Sequence, residues 1–133
     1  MSKIVVLDYG SSNLRSVAKA LETIAEGNHK ITVTDIPKVI LSADKVVFPG
    51  QGAIGQCMQS LEEKELDNVI KQCILKKPFL GICLGLQSLM EHSDEDDGTN
   101  GLGVMAGNVI RFPSNAKDEK NNTVAFDAGY TKS

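Results

Sequence analysis

P-F-L-G-I-C-L-G-L-Q-S-L-M, residues Pro78–Met90, decides the fold. Phe79-Leu80-Gly81-Ile82 is short and apolar, the pattern of a buried strand, and Leu84–Met90 reads as the first turns of a helix. Cys83 stands at the junction between Gly81 and Gly85. A strand that turns at once into a helix brings two backbones too close for a Cβ, which is why glycines flank the turn. The arrangement is the cysteine form of the G-x-S-x-G nucleophile elbow. A helix N-terminus there points free N–H groups at the sulfur and favours the thiolate. The other reading of the five residues alone is an inert core cysteine.

Working outward, Lys3–Asp8 is a continuous β-branched run, as in a strand buried on both faces. Ser12 or Asn13 can cap a following helix with Leu14, Val17, Ala18, Leu21 and Ile24 at helical spacing. Lys30–Thr34 is a second strand, Pro37–Leu41 a short helical connection, and Lys45–Phe48 a third strand running into Pro49-Gly50-Gln51-Gly52-Ala53. Glu62–Lys76 reads as a helix with Leu66, Val69, Ile70, Cys73 and Ile74 on one face. This alternation predicts an α/β fold, a doubly wound and mostly parallel sheet with helices on both faces. Ligands of such sheets bind beyond the carboxyl ends of the strands. Three loops emerge on that rim: Tyr9–Asn13, Pro49–Gly55 and the elbow. After Met90, Glu91–Asn100 is acidic and turn-rich, Gly101–Phe112 reads as two short strands, and residues 113–133 are polar, divergent and expected to be poorly ordered.

The 133 residues make one domain, 41% hydrophobic, with net charge −3, a balance that points to neither nucleic acid nor a membrane surface as partner. Three cysteines, with no C-x-x-C pair, argue against a disulfide framework or zinc site and fit a reducing, cytoplasmic setting. Cys57 and Cys73 read as structural. No metal or cofactor is expected.

A thiolate at an elbow attacks a carbonyl carbon and forms a thioester. The oxyanion then needs donors. The backbone N–H of Leu84 is one, and the Gly50-Gln51-Gly52 backbone can supply a second. Alone, P-G-Q-G reads more readily as an ordinary tight turn. Gln87, one turn beyond Cys83, either contacts a polar substrate or faces solvent.

D-Y-G-S-S-N-L-R-S-V (Asp8–Val17), P-G-Q-G-A (Pro49–Ala53), G-I-C-L-G-L-Q (Gly81–Gln87) and G-L-G-V-M-A-G-N-V-I-R-F (Gly101–Phe112) resemble, in order and spacing, the class I (triad) glutamine amidotransferases. The first segment is similar to that of the glutaminase subunits of imidazole glycerol phosphate synthase. The resemblance covers residues 1–112 and implies a flavodoxin-like fold, here incomplete at the C-terminus. It implies that Cys83 takes the γ-glutamyl group of glutamine, that Gly50–Gly52 and Leu84 form the oxyanion hole, and that Gln87 helps hold the glutamine. Ammonia would pass to a (β/α)₈-barrel cyclase subunit, for imidazole glycerol phosphate synthesis in histidine biosynthesis.

The triad's later H-x-E segment has no counterpart in these residues, so the chain reads as C-terminally truncated, with impaired turnover expected. Of the two histidines, His29 precedes a strand and so lies at the far rim; His92 stands nine residues beyond Cys83, about 13 Å if the helix continues. Both read as surface residues. With the later part of the fold missing, apolar surface near the elbow is expected to be exposed. Two further readings remain: a non-catalytic, partner-binding remnant, and a small cysteine-elbow protein of the redox-sensing or chaperone type.

Overall fold

A computed structural model of the chain describes residues 2–11, 13–111 and 119–121, together with the backbone of 130–132. Most of the tail expected to be poorly ordered therefore lies outside the described residues, as does the candidate cap Ser12.

Four parallel strands form the main sheet in the order β2-β1-β3-β4: β1 Ser2–Leu7, β2 His29–Thr34, β3 Lys45–Phe48 and β4 Phe79–Gly81. Side chains alternate across a strand, so each apolar run divides between two cores. Val5, Leu7, Val46 and Phe48 join one core with Ile40 of α2 (Pro37–Ser42), Cys57 and Leu61 of α3 (Ile54–Glu63), and Ile70 and Cys73 of α4 (Asp67–Lys76). Val6 and Val47 point the other way, against Leu14 and Ala18 of α1 (Leu14–Ala25). The sheet is thus wound on both faces, as predicted. One helix covers the second face unevenly. Leu80, in register with Val47, is 53% exposed, and Ile82 is exposed too. The expected apolar surface beside the elbow is present.

Several boundaries differ from the sequence reading. Ile24 is exposed and does not belong to the buried stripe of α1. Asn13 occupies the N-cap position, but its Oδ1 accepts from Ser16 Oγ at 2.7 Å and caps no backbone N–H. The single helix expected from Glu62 is two helices. Glu65 adopts φ 56°, its N–H donates to the Glu62 carbonyl, and the Leu66 N–H donates to the Leu61 carbonyl at 2.8 Å. That pairing is a Schellman stop, with Leu61 and Leu66 both buried behind it.

The one-turn helix α5 (Leu84–Gln87) also ends earlier than expected. Residues 101–105 fold back along it: Leu102 N–H donates to Ser88 O at 2.7 Å, and Val104 N–H to Leu89 O at 2.9 Å. These carbonyls are then unavailable to a continuing helix. Gly101–Phe112 therefore yields only one strand in its described part, β7 (Asn108–Arg111), rather than two. It pairs parallel to β5 (His92–Ser93) and antiparallel to β8 (Tyr130–Lys132); β6 (Thr99–Asn100) pairs antiparallel to β5. The acidic segment between β5 and β6 has a structural task. Asp96 Oδ2 accepts the Gly55 N–H at 2.9 Å, and the Glu95 carboxylate accepts from Ile54. Together they satisfy first-turn donors of α3, whose own N-cap residue Ala53 has no side-chain oxygen.

Glu65 holds a left-handed conformation that glycine adopts without a Cβ penalty. Glu65→Gly is expected to stabilise the fold by about 0.5–1 kcal/mol, read as a higher urea midpoint at unchanged m-value. A lower midpoint would show that the Glu65 side chain contributes more than its backbone costs.

Candidate active site

Cys83 adopts φ 54°, ψ −118°, a conformation unfavourable for any residue with a Cβ. Such residues cost about 1–3 kcal/mol and persist only where their surroundings fix them. Here hydrogen bonds fix both sides. Ile82 N–H donates to Phe48 O at 3.0 Å, Gly85 N–H to Ile82 O at 3.0 Å, and Gln87 N–H to Cys83 O at 3.0 Å. Ser88 Oγ, fully buried, donates to Gly85 O at 2.9 Å. Gly85 is obligatory, because a Cβ there would run into the Phe48 carbonyl. The sulfur-bearing residue at the tip is exposed, whereas Cys57 and Cys73 are buried.

The rim brings the three predicted loops together. A cleft of about 490 Å³ is lined by Tyr9, Gly10 and Ser11 from the first loop, Gln51, Gly52 and Ala53 from the second, and Leu84 from the elbow. Gln56, Cys57 and Ser60 of α3 close its wall. Cys83, Gly50 and Gln87 are not among the lining residues. Cys83 stands beside the cleft, Gly50 is half-buried behind it, and Gln87 is half-buried on α5. The Leu84 N–H, expected as an oxyanion donor, donates instead to the Gly50 carbonyl at 3.3 Å.

Neither histidine lines this cleft. His29 opens β2, opposite Ser2, at the amino end of the sheet, as expected from its place before a strand. His92 lies in β5, paired with Asn100 and Asn108, with its ring against Gly98. Both are half-buried rather than surface residues.

Tyr9 was legible in the sequence only as part of a turn, yet it is 3% exposed at the cleft wall. Its ring meets Phe48 edge-on, centroids 5.4 Å apart at 83°. Burial, then the nearby Cys57, push its pKa well above the ordinary phenol value, so the hydroxyl remains neutral and able to donate. Burial likewise pushes the Cys57 thiol from 9.0 to about 11, against the lowering influence of Tyr9 and Ser88.

The glutamine amidotransferase class-I family matches residues 5–126. The chain is 52% identical over 113 residues to the imidazole glycerol phosphate synthase subunit HisH of Methylococcus capsulatus, an alignment covering 85% of this chain and 52% of that protein. It is 52% identical over 120 residues to the subunit of the same name from Nitrosococcus oceani, covering 90% and 57%. For that of Aromatoleum aromaticum the figures are 50% over 113 residues, covering 85% and 52%. The chain spans about half the length of the curated relatives it matches.

The raised Cys57 value sets a pH dependence. In the unfolded chain the thiol loses its proton from about pH 9; in the folded chain it keeps it to about pH 11. The associated stability is complete below pH 9 and is lost as pH rises to 11, by roughly 2–3 kcal/mol. Cys73, also raised by burial, adds the same sign. Urea midpoints between pH 8 and 11 should fall over that window. Cys57→Ala should lower the pH 8 plateau and flatten the slope; an equally steep slope in the variant would assign the titration elsewhere.

Proposed function

The chain belongs to the class-I glutamine amidotransferase family, and from that premise we propose that it is glutaminase machinery of an imidazole glycerol phosphate synthase. Residues 1–112 carry the amidotransferase unit and residues 113–133 are a divergent tail. The reading rests on one observation above all: an exposed cysteine held at positive φ between a parallel strand and a helix, beside a glycine-rich loop.

In this mechanism Cys83 Sγ attacks the γ-carbonyl carbon of glutamine. The C–S bond forms as the carbonyl π pair moves to oxygen. The proton given up by the Cys83 thiol passes to the amide nitrogen through water. Collapse expels ammonia and leaves a γ-glutamyl thioester, and water cleaves the thioester to glutamate and restores the thiol. The oxyanion is received by the Leu84 N–H and an N–H of the Gly50–Gly52 segment. Because the Gly50 carbonyl occupies the Leu84 N–H at 3.3 Å, that carbonyl must turn away before the hole accepts charge. Gln87 contributes to holding glutamine. Ammonia passes across the rim that includes Tyr9–Asn13 to a cyclase subunit of the (β/α)₈-barrel type. The pair works as a cytoplasmic heterodimer in histidine biosynthesis, with no cofactor; the complete synthase reaction is of the lyase class.

A second reading is favoured by the two histidines. A general base acts within about 3 Å of its proton or through one water, and neither His29 nor His92 lines the cleft. A chain without that base still binds a partner but turns glutamine over very slowly, since losing a triad member costs several orders of magnitude.

An electrophilic chloroketone analogue of glutamine should alkylate Cys83 in preference to Cys57 and Cys73, and glutamine should protect it, as read by peptide mass spectrometry. Equal labelling of the three thiols, or no protection, would overturn the glutaminase reading. Ammonia release by the chain, with and without a barrel cyclase, should be low, and Cys83→Ala should change it by less than about tenfold. A large drop would show a complete site and remove the second reading.

A further inference from the structure

We propose that Tyr9 is a positioning residue for the oxyanion loop: its hydroxyl receives the Gly50 carbonyl when that carbonyl leaves the Leu84 N–H. The phenol oxygen is buried, and among the described residues no donor or acceptor meets it with hydrogen-bond geometry, although Ser11 and Cys57 lie near enough to bias its ionisation. A buried hydroxyl left in this way is uncommon and costly, and calls for a reason. The oxygen lies directly against Gly50, where any Cβ would overlap it. The ring cannot withdraw, because Phe48 holds it edge-on from within the core. The carbonyl of that same Gly50 is weakly held: the Leu84–Gly50 bond at 3.3 Å is longer than the other hydrogen bonds of the elbow, at 2.9–3.2 Å. Gly50, and Gly52 at φ 104°, leave the intervening peptides free to turn. One movement therefore frees an oxyanion donor and satisfies the orphaned hydroxyl.

The consequence for catalysis rests on the glutaminase reading; the movement itself does not. Tyr9→Phe keeps the ring and its packing and removes only the oxygen, so the fold is retained. Exchange of the Leu84 amide with deuterated solvent should slow about tenfold in the variant, because the released state loses the hydroxyl that donates to the Gly50 carbonyl and the bonded state loses an unsatisfied hydroxyl. The Ile82 amide, bonded to Phe48, should exchange at an unchanged rate. An unchanged or faster Leu84 rate, or a parallel change at Ile82, would overturn the assignment. A second measurement uses glutamate γ-semialdehyde. Cys83 Sγ adds to its aldehyde carbon as the π pair moves to oxygen, giving an oxyanion at the same position. Affinity should fall about tenfold in Tyr9→Phe; equal affinity would overturn the role in the oxyanion hole. No adduct in the unaltered chain would sink the glutaminase reading, while the Leu84 exchange rate would still decide for or against Tyr9.

Discussion

The carbonyl of Phe48 is the constraint on which the site depends. It ends β3, accepts the Ile82 N–H, and lies so close to Gly85 that no side chain fits between them. The chain leaving β4 must therefore turn within two residues, and Cys83 absorbs the turn as a positive φ. The ring of the same residue fixes the depth of the assembly: it packs edge-on against both Tyr9 and Phe79, one from each flanking strand region. Backbone and side chain of Phe48 thus tie the reactive loop to the two others on the rim. A change that moved β3 by a fraction of an ångström would alter the elbow before it altered the core.

Strain at Cys83 makes sense only against this background. One turn of helix has a small dipole, because only a few peptide units are aligned in it. What it supplies at the tip is direction. The cysteine is lifted out of the sheet plane while Leu84, Ser88 and Leu89 are buried beneath it. The reactive residue is exposed because its neighbours are not.

Much of this was legible before any coordinates, for a physical reason in each case. β1 and β3 carry unbroken apolar runs, Ile4–Leu7 and Val46–Phe48, the pattern of strands covered on both faces. The elbow was legible because its glycines are required by contact rather than preference. What escaped was decided by partners distant in sequence. Helix α3 has Ile54, Cys57 and Leu61 at helical spacing, but its first-turn donors are satisfied by Glu95 and Asp96 across the fold, so no cap announces it. Its end is hidden because a glutamate, not a glycine, occupies the left-handed position. The short reach of α5 follows from residues 101–105 taking its carbonyls, an interaction no local pattern carries. Tyr9 escaped because a tyrosine in a turn has no periodicity to betray its burial.

The open surface beside the elbow has the same origin as the elbow itself. β4 is the edge of the sheet, and its alternation sends Phe79 into the covered core and Leu80 to the face that α1 covers only in part. Continuing the alternation puts Ile82 on that same open side, one residue before the strained cysteine. An edge strand with apolar side chains is a template for association. Fully burying such a side chain is worth about 1.5–3 kcal/mol. Leu80 and Ile82 are already about half covered or more, so covering the rest of each is worth about 1 kcal/mol, at the low end of the strain cost at Cys83. A polypeptide segment laid over Leu80 and Ile82 would therefore cover the residue next to the sulfur. The open face and the reactive centre are one peptide unit apart.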